Sequence, residues 1–224
     1  MSLCKRIIAC VLIENGLVVR RVGFKTKAII GKPAMTIKYL QKWAVDEIIF
    51  INVGAKSDMS KILDTATKKL FLPISVGGSI STIDEIDRYM RMGADKVVIG
   101  KHANEKFMTE IVNKYGDQAV SLSVDNNHDN VPEFPCGEII MHDIERDGYG
   151  KGLNLDILKK RVYKNGKYIH KPILAMGGIG SYEDIVEGLK YCDGVCVGNL
   201  FHYKEISARK AKEAAKSKGY DMRV

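Results

Sequence analysis

Two segments of the chain repeat a pattern that suits phosphate binding. Each has a Gly-Gly pair after an apolar run, then an amphipathic helix and an apolar strand ending in glycine, at 76–100 and again at 176–198. The glycines expose backbone N–H groups, and Ser81 and Ser181 lie where a helix N-cap is expected. Because N–H groups at a helix start attract anions, the repeat predicts two phosphate sites on one frame, although a single Gly-Gly pair is often only a tight turn.

A second group of residues carries charge at the start of apolar runs. Glu47, Lys96 and Glu138 open three such runs, and Arg6 precedes the first. In a barrel of parallel strands, alternate strands supply one layer of inward side chains, so these four residues would form a charged ring at the barrel base. Buried ion pairs stabilise a fold less than apolar packing does, which favours a functional role over a ring that merely closes the bottom.

The periodicity of the chain predicts the frame that holds these residues. Short apolar runs alternate with helix-period segments, which is typical of parallel strands buried on both faces. The eight predicted strands are 7–13, 47–53, 73–78, 96–100, 119–125, 138–143, 172–178 and 194–199, and the seven predicted helices are 33–44, 57–69, 82–92, 104–115, 154–162, 181–190 and 204–218. This order predicts an α/β fold, a (β/α)8 TIM barrel with a two-fold internal repeat that spans 1–224 as one domain.

Two connections depart from the regular pattern. Only NNHDNVPEFPCG lies between Asp125 and Glu138, and its prolines leave no room for a normal helix, so the helix between the fifth and sixth strands is predicted to be missing. The long segment 14–33, between the first strand and its helix, is predicted to be a loop that covers the site at the C-terminal face.

Composition argues against several classes of protein. The 224 residues carry a net charge of +8, which we attribute to solvated helix faces and the basic tail rather than to nucleic-acid binding. No apolar run reaches 18 residues and no signal-peptide pattern appears, so we expect a cytoplasmic protein without membrane contact. The five cysteines and five histidines lack metal-ligand spacing, so no disulfide, metal or cofactor is expected; His142, ending the sixth strand, lies nearest the expected cavity.

Over nearly its whole length the chain resembles the cyclase subunit of imidazole glycerol phosphate synthase. The matching stretches are KRIIACVLIENGLVVRRVGF, VDEIIFINV, PISVGGSISTIDEIDRYMRMGADKVVIG, GEIIMHDIERDGYGKGLNLDIL, and ILAMGGIGS with VGNLFHYKEI. Members of that family are TIM barrels that use ammonia from a separate glutaminase to cleave and cyclise a ribulosyl-aminoimidazole substrate with two phosphates. Together with the Gly-Gly repeats, the resemblance implies a substrate- and phosphate-binding set of Gly77, Gly78, Ser81, Gly100, Asp147, Gly148, Gly177, Gly178, Gly198 and Asn199.

The resemblance also implies a role for the charged ring. Its four residues, Arg6, Glu47, Lys96 and Glu138, match the gate through which ammonia from the docked glutaminase enters the barrel. A glutaminase subunit is therefore the expected partner, forming a heterodimer at the N-terminal barrel face. A small phosphorylated substrate is expected at the opposite face.

The catalytic residues match the family only in part. The family uses two aspartates at the ends of opposite strands as general acid and general base. Asp125 matches the second and is the predicted catalytic residue, whereas Leu12 stands at the position of the first and cannot transfer a proton. Four further positions differ: Asn52 replaces an aspartate, Arg20 a lysine, Gly100 an asparagine and Met176 a serine. These changes indicate a different substrate or lost catalysis.

Three functions stay open on these grounds. The leading hypothesis is a paralogous branch with leucine in place of the first aspartate, in which the barrel works with a glutaminase and a separate amidotransferase to build acetamidino groups on bacterial surface sugars. The second is the cyclase of histidine biosynthesis itself. The third is a non-catalytic barrel that scaffolds or activates the glutaminase. The sister isomerase of the histidine pathway also has a two-phosphate barrel, but it needs no ammonia gate and uses an aspartate on the first strand.

Overall fold

Eight parallel strands close into a barrel. The computed structural model describes residues 4–54, 59–125, 131–160, 166–203 and 207–223. The first strand, β1 (Arg6–Glu14), continues into an antiparallel hairpin of β2 (Leu17–Val22) and β3 (Lys25–Gly31), and the other barrel strands are β4 (Glu47–Asn52), β5 (Ile74–Gly77), β6 (Lys96–Ile99), β7 (Val120–Asp125), β8 (Glu138–His142), β9 (Ile173–Met176) and β10 (Gly194–Val197). Because β10 pairs with β1, the sheet has no open edge, and the predicted TIM barrel is confirmed.

Seven α-helices occur within the described residues, at the positions that the sequence predicts. They are α1 (Pro33–Lys42), α2 (Ser60–Thr67), α3 (Ile83–Arg91), α4 (Glu105–Tyr115), α5 (Leu155–Lys160), α6 (Tyr182–Gly188) and α7 (Ser207–Ser217). Between β7 and β8, residues 131–137 contain no helix, in line with the prediction, while 126–130 lie outside the described residues. None of the helices described is long and apolar enough to cross a membrane.

The segment 14–33 contains the β-hairpin of β2 and β3, so the prediction that it is a loop was wrong in its secondary structure. Two tight turns, Asn15-Gly16 and Gly23-Phe24, connect β1 to β2 and β2 to β3, and their four residues have positive φ angles between 50° and 78°. Positive φ at both central residues defines the type I′ turn, whose twist matches paired antiparallel strands. Asn-Gly is the strongest short sequence signal for such a turn, and it was present in this sequence.

The barrel interior is apolar between its two ends. Seven buried residues form a cluster distinct from the core between sheet and helices: Ile8, Cys10, Ile49, Val98, Ile140, Leu174 and Cys196. Side chains two positions apart on a strand face the same side, so Arg6, two positions before Ile8, points into the same interior one layer nearer the base. Apolar layers therefore separate the barrel base from its mouth.

The two halves of the barrel repeat the same local contacts. Asp95 and Asp193, which precede β6 and β10, accept hydrogen bonds from the backbone N–H groups of Ile74 and Ile173 at 2.8 and 2.9 Å. These two strand starts, β5 and β9, are thereby fixed in the same way, which agrees with the two-fold repeat of the sequence.

The helices α3 and α6, which follow the two Gly-Gly pairs, begin at different distances in sequence from those pairs. Ser181 caps α6, as predicted, and Thr82 rather than Ser81 caps α3. Thr82 is favoured because it lies three residues before Glu85, and the two form a capping box in which each side chain bonds the backbone of the other.

A buried ion pair attaches the C-terminal helix to the barrel base. Asp46 accepts a hydrogen bond from Ile7 N at 2.8 Å and another from Lys212 Nζ on α7 at 2.6 Å. The side chains of Asp46 and Lys212 are only 3% and 9% exposed. Removing one partner of such a pair leaves the other charge buried without compensation.

We therefore expect Asp46→Ala to lower the free energy of unfolding by about 3–5 kcal/mol. The matched control is Asp64→Ala, which breaks the exposed pair with Lys68 and should cost less than about 1 kcal/mol. Urea denaturation followed by circular dichroism measures both. Equal losses in the two variants would contradict the structural role of Asp46.

Candidate functional site

A cavity of about 110 Å³ lies at the C-terminal ends of the barrel strands. Its apolar lining comes mainly from strand ends and includes Cys10, Leu12, Ile51, Val53, Met176 and Cys196. Its polar side chains are Arg21, His142, Asp147 and Asn199, and Gly148, Gly177, Gly178 and Gly198 contribute backbone. We call this space the mouth cavity. Its position is the one at which TIM barrels hold their active sites.

The hairpin covers the mouth cavity. Gly23 N donates to the carbonyl oxygen of Asp147 at 3.2 Å. The side-chain amide of Asn199 donates to the carbonyl oxygens of Arg21 at 3.0 Å and Gly148 at 3.3 Å. At the tip of the hairpin, the ring of Phe24 lies edge-on to that of His142, with centroids 6.1 Å apart. Position over the site was thus predicted correctly, although its secondary structure was not.

The predicted phosphate-binding residues fall into two groups. Six of them line the mouth cavity together: Asp147, Gly148, Gly177, Gly178, Gly198 and Asn199. The other four, Gly77, Gly78, Ser81 and Gly100, lie at or just after the ends of β5 and β6 and are not part of this lining. Residues 55–58 and 126–130, which follow the neighbouring strands β4 and β7 in sequence, lie outside the described residues.

Both Gly-Gly pairs are required by close backbone contacts. Gly78 and Gly178 have φ angles of 111° and 94°, which residues with a side chain rarely adopt. A Cβ on Gly78 would overlap the backbone of Asn52, and one on Gly178 would overlap the carbonyl oxygen of Gly152. The glycines therefore have a packing role in addition to any role in ligand binding.

Carboxylates already occupy the starts of the two helices assigned to phosphate. Glu85 Oε2 accepts from the backbone N–H groups of Ser81 at 2.9 Å and Thr82 at 3.2 Å. Asp184 Oδ2 accepts from those of Gly180 and Ser181, each at 2.9 Å. These contacts were not predicted from the sequence, although Thr82 and Glu85 have the spacing of a capping box. A phosphate at either site would have to use other donors of the loop or displace the carboxylate.

His142 lies between two carboxylates at the edge of the mouth cavity. Its Nδ1 is 3.3 Å from Asp125 Oδ1, and its Nε2 is 3.7 Å from Asp147 Oδ1. The His142 side chain is 9% exposed, whereas that of Asp125 is 64% exposed. Burial alone would lower the pKa of His142, but the two carboxylates outweigh it and raise the pKa to about 9. The ring is therefore an imidazolium at neutral pH.

Substituted positions make the cavity floor apolar. Leu12 and Met176 line it, together with the Cys10 thiol, whose pKa burial raises to about 12. Arg20, by contrast, stacks its guanidinium on the ring of Tyr203 at 5.3 Å and does not line the cavity. The side-chain oxygen of Asn52 accepts from Gly54 N at 3.3 Å. No acid therefore occupies position 12 on the first strand, where the family has an aspartate.

The four charged residues at the opposite face do form a ring, as predicted. Arg6 contacts Glu47 at 3.2 Å and Glu138 at 2.7 Å, and Lys96 contacts the same two carboxylates at 3.4 and 3.0 Å. This charged ring has two positive and two negative members. Burial alone would raise the pKa of Glu138, but Lys96 and Arg6 outweigh it and lower the pKa.

Neighbouring residues hydrogen-bond to the carboxylates of the charged ring and leave room for Arg6. Ser75 and Ser121 donate hydroxyl hydrogen bonds to Glu47 Oε1 at 2.6 Å and to Glu138 Oε1 at 2.7 Å. Gly194 pairs with Arg6 across the β1–β10 seam, where a Cβ would lie 3.2 Å from the Cβ of Arg6. Below the ring a depression of about 390 Å³ opens at the N-terminal face, and all four ring residues line it.

The closed parallel barrel, with a covered cavity at its mouth and a charged ring at its base, defines a (β/α)8 protein whose two ends have separate polar sites. Comparison with protein families gives the family. The model of the histidine biosynthesis protein family matches residues 6–134 and 128–207, which is most of the chain. The chain belongs to this family of TIM-barrel enzymes.

The raised pKa of His142 makes stability depend on pH. Below about pH 6.5 the histidine is protonated in both states and its contribution is complete, so the free energy of unfolding should fall as pH rises from about 6.5 to about 9. Urea denaturation at pH 6 and pH 9.5 should show a smaller difference in His142→Gln than in the wild type. The control, His170→Gln, changes an exposed histidine and should keep the wild-type difference. An NMR titration midpoint of His142 near 6.5 would contradict this prediction.

Proposed function

We propose that this chain is the ammonia-using barrel of a glutamine amidotransferase complex. In this proposal a glutaminase docks at the N-terminal face, and its ammonia passes the charged ring and reacts with a phosphorylated substrate in the mouth cavity. The observation that carries the proposal is the charged ring of Arg6, Glu47, Lys96 and Glu138 below an apolar interior.

Several properties of the ring support the proposal that it acts as a gate. It is electrically balanced, so it closes the base without an uncompensated buried charge. To each carboxylate Lys96 makes the longer contact, 3.4 against 3.2 Å at Glu47 and 3.0 against 2.7 Å at Glu138, so swinging the lysine aside would break the weaker half of the ring. Lysine also has a flexible stem and a compact charge, unlike the planar fork of arginine.

The apolar layers above the ring would select the reactive species. Ile8, Ile49 and Val98 belong to the buried cluster between base and mouth. Moving an ammonium ion through such a layer costs far more than moving neutral ammonia, because an apolar environment cannot solvate the charge. An interior of this kind fits delivery of the neutral nucleophile and exclusion of ions.

Within this scheme, the mouth cavity holds the substrate. Gly148, Gly178, Gly198 and Asn199 are proposed phosphate ligands. Gly77, Gly78, Ser81 and Gly100 are proposed for a second phosphate, which would displace Glu85 from Ser81. Asp125 belongs to the acid–base machinery. The apolar floor at Leu12 favours the paralogous branch, which serves acetamidino-group formation on surface sugars, over the cyclase of histidine biosynthesis. A scaffold without activity would keep the ring but would have no use for the polar groups of the cavity.

Replacing Lys96 by Met should uncouple the two reactions. We expect the variant to fold and bind the glutaminase, while glutamine hydrolysis no longer matches ammonia use at the barrel, because a neutral side chain cannot close the ring. The measurements are co-purification with a glutaminase encoded beside this chain, followed by glutaminase activity with and without the barrel. Lys68→Met, an exposed position on α2, is the control. If the wild type forms no complex and leaves hydrolysis unchanged, the ammonia-channel proposal fails.

The missing acid on β1 should make the chain a poor cyclase. With ammonia and the ribulosyl-aminoimidazole substrate, we expect turnover slower by on the order of 10²–10⁴-fold than in a family member with both aspartates, the usual cost of losing a general acid or base. Single-turnover assays at equal protein concentration measure the difference. Robust turnover, or rescue of a histidine auxotroph, would contradict the paralogue and favour the cyclase.

A further inference from the structure

One buried polar atom at the mouth cavity has an unused hydrogen-bonding capacity. His142 Nε2 is buried, and among the residues that the structure describes it has no hydrogen-bond partner, since Asp147 Oδ1 is 3.7 Å away. An unsatisfied buried N–H is costly and uncommon in folded proteins. The side chain is nine-tenths buried and is one of the residues that line the mouth cavity, so a ligand held there would lie beside the ring.

The other nitrogen of the ring fixes its orientation. Asp125 and His142 are register partners on adjacent strands, and Nδ1 lies 3.3 Å from Asp125 Oδ1. When a carboxylate accepts the Nδ1 hydrogen, Nε2 is the nitrogen left to exchange a proton with a ligand. Catalytic histidines are commonly oriented by a third group in this way.

The charged groups around the ring keep it protonated. Asp125 faces it from β7 and Asp147 from the loop after β8, while Arg21 of the hairpin lines the same cavity. The carboxylate of Asp143, next in sequence, accepts instead from the backbone N–H of Arg146 at 2.9 Å. Cys10 and Cys196 of the floor are buried thiols that stay neutral because burial raises the pKa of each.

We propose that His142 is a catalytic residue of the mouth cavity, whose Nε2–H donates to an oxygen of a sugar phosphate and transfers its proton to that oxygen during the reaction. The N–H bond breaks and an O–H bond forms, which leaves a neutral imidazole still bonded to Asp125 through Nδ1–H. Water restores the proton after the product leaves. Asp125 is then a positioning residue that acts through His142. This inference takes its phosphorylated ligand from the proposed function and rests on it.

The electrostatics favour a sugar oxygen over a phosphate as the acceptor. One imidazolium between Asp125 and Asp147 gives this trio a net charge of −1, which repels a phosphate dianion but not a hydroxyl or carbonyl oxygen. The phosphate of the same ligand would lie at the glycine backbone of the cavity, at Gly148, Gly178 and Gly198. The two ends of the ligand are thus recognised by different chemistry.

Binding of two probes separates these contributions. Ribulose 5-phosphate carries the sugar oxygens and inorganic phosphate does not, and isothermal titration gives both affinities. For His142→Gln we expect the affinity for ribulose 5-phosphate to fall on the order of 10- to 100-fold, the effect of losing a hydrogen bond from a charged donor, while phosphate affinity changes less than about twofold. The exposed control His170→Gln should leave both affinities unchanged.

Two further readouts do not need the glutamine variant: the first tests His142 Nε2, and the second tests the role of Asp125. In wild-type protein, ribulose 5-phosphate should shift the ¹⁵N resonance of His142 Nε2 more than that of Nδ1. In Asp125→Asn, binding of ribulose 5-phosphate should weaken at a lower pH than in the wild type, because one of the carboxylates that stabilise the imidazolium is gone.

The outcomes distinguish this inference from the proposed function. Wild-type binding of both probes with no change in His142→Gln, or no shift at Nε2, overturns the role of His142 and leaves the proposed function standing. Failure of the wild type to bind either probe removes the phosphorylated ligand and overturns both. If His142→Gln does not fold, the Nε2 shift in the wild type decides alone.

Discussion

Closure of the parallel sheet by the pairing of β10 with β1 is the constraint on which the other features depend. A closed barrel fixes the register of every strand, and the alternation of side chains then decides which residues meet inside. Arg6 meets Gly194 across the closing seam, and Asp125 meets His142 on the other side of the barrel. The charged ring and the contact between Asp125 and His142 are therefore consequences of register, since their residues come from different strands.

The barrel separates its polar chemistry into two ends. At the base, two cations and two carboxylates satisfy one another, and serine hydroxyls complete the hydrogen bonds of the carboxylates. At the mouth, one imidazolium lies between two carboxylates, and its Nε2 has no hydrogen-bond partner in the described part of the chain. The charges at the base are thus paired with one another, whereas at the mouth one ring nitrogen lacks a hydrogen-bond partner among the described residues. The apolar layers between them separate the two sets of charges.

Much of the fold was predictable because its signals are local. Apolar runs predicted the strands, and helix periodicity predicted the helices. The two prolines between Asp125 and Glu138 predicted the missing helix. The hairpin was missed although Asn15-Gly16 was visible, because the segment was interpreted by its length instead of its turn residues. The contact between Asp125 and His142 depends on the register of two strands, which no local pattern specifies. The capping carboxylate of Glu85 was predictable from spacing, but its effect on the phosphate site became apparent only with the backbone geometry.

The hairpin is built from the same strand that forms the cavity floor. Leu12, Ile13 and Glu14 pair with β2 on one side while Leu12 and Ile13 pair with β4 on the other, so the lid and the wall share backbone atoms. Lifting the hairpin away from Asp147 and Asn199 would have to break the pairing of β1 with β2, because the turn at Asn15-Gly16 joins two strands that are bonded to each other. The backbone pairing that holds the lid is therefore continuous with the pairing that closes the barrel, so the cover of the cavity is anchored by the wall of the cavity itself.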